Sequence, residues 1–312
     1  MGEVKGEIRF LKDNLQALRP KPVLRKYSFL PHIRYTATMI GVFDSGYGGL
    51  TILKEFLREL PEYDYMYLGD NARAPYGNRS HEAVKSFSEE AIQYLFSKGC
   101  ILIITACNTV SAQALREIQE EYLRTPNVTD RKILGVIKPM VEEAAKITKN
   151  KKVGVVGTRG NVASKSYDEE LRGLDATIQM SSQACPLLAP LVEEGWSHKP
   201  ESRMILKKYI KPLKSHNIDT LILACTHYPF MLREFKDVMG KRVQVPNPGK
   251  IIATSLRDYL HRHPEIEKLL SKKGERHFLT TDDPKRFKEV GDRFMKTDLK
   301  NIQKVDITKP TK

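Results

Sequence analysis

The sequence predicts an α/β protein made of two pseudo-symmetric three-layer halves with mostly parallel sheets and a functional cleft between them. Two observations carry this reading. Residues 102–110 (LIITACNTV) and 221–229 (LILACTHYP) are short unbroken apolar runs that both end in Ala-Cys and then turn polar. Runs without alternation fit strands buried on both faces of a parallel sheet. The second observation is an echo. The run MIGVFDSGYGG at 39–49 returns as KKVGVVGTRG at 151–160, each a Gly-Val strand that ends in small residues. Gly41 and Gly154 are about 113 positions apart and Cys107 and Cys225 about 118, so two motifs recur in one order at nearly one offset. That reads as duplication of one α/β unit.

Residues 1–37 differ from the rest of the chain. Lys5, Arg9, Lys12, Arg19, Lys21, Arg25, Lys26 and Arg34 stand there against Glu3, Glu7 and Asp13. The prolines of RPKPVL and FLPHI break any long helix. The segment reads as a helix near 5–18 and then an extended arm, a peripheral extension spanning 1–38. Met39 directly precedes the first core strand, which leaves an upstream mis-assigned start open.

Residues 39–50 form a strand running into a glycine-rich turn, and the helix TILKEFLREL places apolar residues 52, 53, 56, 57 and 60 on one face. A strand, glycine loop and helix in this order offer backbone N–H groups to an anion. The spacing matches neither G-x-G-x-x-G nor G-x-x-x-x-G-K-[ST], so neither a dinucleotide nor a nucleoside triphosphate is specified, and a carboxylate suits the loop equally well. Asp44 at the strand end reads either as a helix cap or as a catalytic group. A second strand is expected at 63–68, then a loop with Asp70, Asn71, Pro75, Tyr76 and Gly77, a helix over 81–98, the first Cys strand with Asn108 and Thr109 opening a loop, and a helix over 112–123.

After the polar loop 126–132 the pattern restarts with the strand ILGVI, a helix through 146 and the Gly-Val strand. Helices are predicted over SYDEELRGL and MILKKYIKPLKSH, with a Pro-punctuated apolar segment at 184–196 between them, where Cys185 reads as packing. The second Cys strand leads through a helix (FMLREFKDVMG) to a strand at VQV, a Pro/Gly turn and a helix over 250–260. A strand at 277–281 and a helix at 284–295 end the pattern and complete the first half. The expected division is therefore 39–131 plus 246–306 for the first unit and 132–245 for the second.

Composition narrows the class. Of 312 residues, 40% are hydrophobic and 29% charged, an ordinary globular balance. No run approaches the about 18 apolar residues of a membrane span, and no signal peptide is evident. Cys100, Cys107, Cys185 and Cys225 are scattered with no C-x-x-C pair, which argues against a structural zinc site or a disulfide framework and for a reducing, cytoplasmic setting. The net charge of +14 is spread without an arginine-rich, aromatic-interleaved tract, so nucleic-acid binding is not indicated beyond a diffuse basic charge.

Ligands of parallel sheets bind beyond the carboxyl ends of the strands, which is where Cys107 and Cys225 fall. Two thiols of ordinary value near 8.5 can serve as a thiolate base and a thiol acid. Facing each other, they would remove a proton from one face of a carbon and return one to the other face. This is racemisation without a cofactor. Asp44 and His227, one per half, stand beside the thiols as partners.

Taken together and in order, DSGYGGL, GDNARAPYG, ACNTVSA, VGVVGT, ACPLLAPLVE and LACTHYP closely resemble glutamate racemase of bacterial cell-wall synthesis, over about residues 39–290. The resemblance implies a cofactor-independent, metal-free isomerase that interconverts L- and D-glutamate for peptidoglycan, from two pseudo-symmetric α/β domains, and a homodimer. It implies that Cys107 and Cys225 are the acid/base thiols, with Asp44 and His227 as auxiliary groups. Asp44, Ser45, Pro75, Tyr76, Gly77, Asn108, Thr109 and Thr226 would line the substrate site. Asn161 stands where the family often has Thr and can still donate to a carboxylate. Residues 246–249 (PNPG) also depart from the family pattern. The rival readings are a sister racemase acting on aspartate, a cysteine hydrolase using Cys107 with His227, and a basic binding protein; Cys107, Cys225 and His227 offer too few ligands for a familiar metal site.

Overall fold

The computed structural model describes residues 38–123 and 131–308. The basic segment 1–37 with its expected helix, and residues 126–130 of the polar loop, lie outside the described residues. The chain runs through β1 (Met39–Asp44), α1 (Leu50–Glu59), β2 (Tyr65–Gly69), α2 (His81–Ser97), β3 (Cys100–Thr105), α3 (Asn108–Gln113), α4 (Leu115–Leu123) and β4 (Lys132–Gly135). It continues through α5 (Ile137–Ile147), β5 (Lys152–Gly157), α6 (Arg159–Ser164), α7 (Ser166–Leu174), β6 (Gln179–Ala184), α8 (Leu188–Glu193), α9 (Pro200–Ser215) and β7 (Thr220–Ala224). After it come α10 (Leu232–Met239), α11 (Pro248–Arg262), α12 (Pro264–Glu267), β8 (Arg276–Thr280), α13 (Pro284–Met295) and β9 (Ile302–Lys304).

The strands form two sheets, ordered β4-β3-β1-β2-β8-β9 and β6-β5-β7. Every strand pair is parallel. The two Gly-Val strands hold equivalent places: β1 lies between β3 and β2, and β5 lies between β7 and β6. Each Cys strand is thus the neighbour of a Gly-Val strand, which is the topology that the repeated motif order anticipates.

Burial explains the unbroken apolar runs. Ile40 and Val42 of β1 belong to one hydrophobic cluster with Leu50, Ile52, Leu53 and Phe56 of α1. Met39 and Phe43 face the opposite cluster with Val84, Ile92 and Leu95 of α2. Both faces of the sheet are covered by helices, so no position in the strand calls for a polar residue. In the smaller sheet Val153 and Val155 pack with α5 and α7, and Leu221 and Leu223 turn to the other side.

The structure departs from the sequence expectations at four places. The strand expected to open the second unit at 132 instead pairs with β3 and extends the larger sheet, so the sheets part after Gly135. The expected strand at VQV is reduced to a bridge between Thr220 and Gln244, because Pro246 and Pro248 have no N–H with which to continue a ladder. Asn108 and Thr109 begin a helix directly behind Cys107 rather than a loop, and a break at Ala114 separates α3 from α4. Two edge strands went unread: β6, QMSSQA, carries the polar side chains of an exposed edge, and β9 is only three residues long.

Candidate active site

Cys107 sits two residues beyond β3 and Cys225 directly beyond β7, at the same edge of each sheet. Both are nearly buried, 5% and 6% exposed. The loops that carry them are tied together through the loop after β1. Thr226 donates to Asp44 Oδ2 at 3.3 Å, and Thr51 donates to the Thr226 carbonyl at 2.9 Å. A Cβ on Gly48 would lie 2.1 Å from Thr226 Oγ1 and 2.7 Å from His227 Nδ1, so this approach admits only glycine. On the far side Tyr167 of α7 donates to Asn108 Oδ1 at 2.6 Å, and burial, with Cys225 adding to it, raises its hydroxyl above the ordinary range. The two strand ends therefore share one set of contacts.

The thiols have unlike neighbours. Cys107 donates to Ser45 Oγ at 3.4 Å. Burial pushes the Cys107 thiol up to about 12 and the Asp44 charge adds to this, while the Ser45 hydroxyl and the N–H groups of Val110 and Ser45 oppose it. Cys225 Sγ lies 3.8 Å from His227 Nδ1, and the other ring nitrogen of His227 lies 2.7 Å from Glu193 Oε1. Burial by itself would lower the imidazole; hydrogen bonds and negative charge from Cys225 and Glu193 outweigh it and hold His227 well above its ordinary range. Burial raises the Asp44 carboxyl, against the His227 charge and bonds from Gly46, Gly49 and Thr226. Asp44 is not the cap of α1: that position is Gly49, and Asp44 Oδ1 instead accepts the Gly46 N–H at 2.9 Å. The arrangement is a pair of desolvated thiols, one beside a carboxylate and the other beside an imidazole that a second carboxylate, Glu193, also meets.

Comparison with known proteins fits this geometry. The family model described as Asp/Glu/Hydantoin racemase matches residues 43–256. The chain belongs to this racemase family. A glutamate racemase of Geobacter metallireducens is 36% identical over 268 residues, covering 86% of this chain and 96% of that one. Among solved structures, a glutamate racemase isoform of Bacillus anthracis superposes with a TM-score of 0.79 at 35% identity, over 87% of this chain and 98% of that one. The glutamate racemase of Francisella tularensis, solved in complex with D-glutamate, gives 0.78 at 31% identity, over 86% of this chain and 98% of that one.

Against the racemase expectations, Asp44, Ser45, Cys107, Asn108, Thr109, Cys225, Thr226 and His227 come together at this edge, with Thr109 reaching Thr158 Oγ1 at 3.1 Å. Gly77 packs directly on that same Thr158. Three more of the expected residues have surroundings of their own. The Tyr76 ring points into the core against Phe43 and Phe87, and its hydroxyl donates to Asp70 Oδ2, so its side chain is spent on structure. Pro75 is exposed and comes after a cis peptide bond. The Asn161 amide, expected to meet a carboxylate, donates to the Ala224 carbonyl at 3.1 Å instead, and its Oδ1 has no hydrogen-bond partner among the described residues. Sequence reasoning missed Glu193, Tyr167 and Thr158. A glutamate ending an apolar helix, a tyrosine in an amphipathic helix and a helix-capping threonine carry no local signal of a shared site.

Asp70 holds the 75–77 loop. Its buried carboxylate also accepts from Arg73 Nε at 2.6 Å and from Thr281 Oγ1 at 2.8 Å, which ties the loop to the end of β8. Without the Asp70 charge, Arg73 keeps its ion pair to Glu90 at 2.5 Å, so what is lost is the charge-assisted bonding from Tyr76 and Arg73. Asp70→Asn is therefore expected to lose about 2 kcal/mol of stability in urea unfolding; a loss below about 0.5 kcal/mol would mean the network is dispensable.

The Cys107 environment also sets an alkaline dependence of stability. Between the ordinary thiol value and about 12 the unfolded chain has lost this proton and the folded chain has kept it. Unfolding then releases a proton, so raising the pH through this window favours unfolding. Urea midpoints of wild type should fall more steeply than those of Cys107→Ser as the pH rises from about 9 towards 12. Parallel curves would show that this thiol is not held protonated.

Proposed function

We infer that this protein is a glutamate racemase that interconverts L- and D-glutamate and supplies D-glutamate for peptidoglycan synthesis. The observation that carries the mechanism is the pairing of Cys107 and Cys225 at equivalent strand ends whose loops interlock. In the proposed reaction one cysteine, as thiolate, takes the proton from the α-carbon and becomes a thiol. The other, a thiol, gives its proton to the opposite face and becomes a thiolate. Atoms and charge balance with no further reagent. The hydroxyls of Ser45, Thr109 and Thr226 and the amide of Asn108 are the donors proposed to hold the substrate carboxylates. The charge of a thiolate formed at Cys225 is met by His227, 3.8 Å away. Low exposure of both thiols strengthens such interactions, since water screens them poorly there.

The same reading proposes a cytoplasmic homodimer. Four free, buried cysteines suit a reducing compartment, and no helix among the described residues is long and apolar enough to cross a membrane. A small amino acid is the proposed partner, and nucleic acid is not.

The test tracks the optical activity of L- and of D-glutamate with purified protein and no added cofactor. Both should converge on the same equimolar mixture, because enantiomers have equal free energy. Turnover of aspartate in place of glutamate would retain the mechanism and refute the substrate. Turnover of neither would refute the function.

A further inference from the structure

We propose that α13 is a clasp that positions the His227–Glu193 pair, and that Arg293 is the positioning residue through which it acts; this rests on the glutamate racemase reading. The helix is anchored on the larger sheet's side, where Phe287, Val290 and Phe294 are buried and Lys54 of α1 reaches the Phe294 carbonyl at 3.5 Å. From there it reaches the segment that carries Glu193. The Arg293 guanidinium donates to the Glu193 carbonyl, and Arg286 pairs with Glu194 at 3.1 Å. The two arginines are seven residues apart, two turns along one face of α13. Gly195 has φ +76°, and a Cβ there would come within 3.3 Å of Arg293 Nη1, so the backbone is shaped to admit this side chain.

The contact has a physical purpose. Glu193 is the last residue of α8, and the final carbonyls of a helix have no partner within it. A basic side chain that binds one of them supplies a cap and complements the negative end of the helix dipole. Here the cap comes from a distant element, so the end of α8, and with it the Glu193 carboxylate, is placed by α13. The helix fixes the other member of the pair as well. The Phe294 ring meets the His227 ring edge-on, centroids 6.1 Å apart at 82°, and packs on Phe230 at 4.1 Å. Arg293 thus holds the glutamate and the adjacent Phe294 holds the histidine.

The consequence is one-sided. His227 and Glu193 attend Cys225. Cys107 has Ser45 and Asp44, whereas the Arg293 and Arg286 bonds run to Glu193 and Glu194. Loss of the clasp should weaken proton transfer at Cys225 and leave that at Cys107 nearly unchanged.

The experiment compares Arg293→Ala, Arg293→Lys and wild type. Arg293 is exposed, so truncation should leave the thermal midpoint close to that of wild type. Racemisation should fall by about ten- to a hundred-fold in Arg293→Ala, with partial recovery in Arg293→Lys, whose ammonium can still reach a carbonyl. In D₂O, α-deuterium exchange should survive for the enantiomer that Cys225→Ser still exchanges and fall for the other. The ¹⁵N shift of His227 Nε2, which depends on Glu193 and not on turnover, should move in Arg293→Ala. An unchanged shift, or exchange that falls equally for both enantiomers, would overturn the clasp while leaving the racemase reading intact. A moved shift in a protein whose wild type exchanges neither enantiomer of glutamate would uphold the clasp and refute the reading of the substrate.

Discussion

Cys107→Ser and Cys225→Ser should each lose racemisation by about 10³-fold or more while keeping one half of the chemistry. A positioned acid or base contributes typically about 10²–10⁴-fold, and a serine hydroxyl is a far weaker base than a thiolate and a weaker acid than a thiol. The remaining cysteine still faces one side of the α-carbon. It can remove the proton from the enantiomer whose hydrogen points at it, exchange that proton with solvent and return a deuteron to the same face. In D₂O, one enantiomer should therefore gain deuterium without inversion in Cys107→Ser, and the opposite enantiomer should do so in Cys225→Ser. A hydrolase using Cys107 with His227 needs a single nucleophile and predicts that Cys225→Ser keeps its activity. Equal deuterium uptake by both enantiomers in each mutant would end the two-base proposal. A basic binding protein would be indifferent to both substitutions.

The second large effect is expected from Gly48→Ala, a single methyl added far from either thiol in sequence. The new Cβ would overlap Thr226 Oγ1 at 2.1 Å and the His227 ring at 2.7 Å. Thr226 cannot yield without disturbing its bond to Asp44, nor His227 without leaving Cys225 or Glu193. Overpacking of this kind costs about 1–3 kcal/mol, and a displacement near 1 Å at a reacting group costs about 10²-fold in rate. The expected result is a drop in kcat of about 10²-fold with a modest loss in the urea midpoint. Gly173→Ala serves as the control. It lies inside α7, where nothing stands within 4 Å of its Cβ, so the change should raise stability by about 0.5–1 kcal/mol and leave activity alone. If Gly48→Ala keeps wild-type kcat, the two loops do not depend on each other for their positions.

Both predictions rest on residues that differ in how they could be found. The thiols were legible because they close two apolar runs of the same design, and burial on both faces of β3 and β7 forces that design on the sequence. Gly48 was legible as part of a glycine-rich turn, but its reason for being glycine lies across the cleft in Thr226 and His227. Tyr76 shows the opposite case. The Pro-Tyr-Gly pattern reads only as a turn and it is the family resemblance that implies a substrate role; the ring itself fills the core between Phe43 and Phe87, and no local pattern tells which way a turn residue points.

What the sequence by itself determined is the α/β class, the repeated strand–turn–helix unit, the edge at which both thiols lie and the glutamate racemase resemblance. Each has short-range causes: apolar runs imposed by burial, helical stripes, and turn residues at fixed offsets. Only the tertiary structure decided that β4 extends the larger sheet, that Asn161 binds the Ala224 carbonyl, that Glu193 completes the His227 pair and that α13 holds both. These depend on side chains brought together from distant parts of the chain, Glu193 with Arg293 and His227 with Phe294. A one-dimensional pattern records which residues are buried, and it is the packing of helices on two sheets that selects the partners they are buried against.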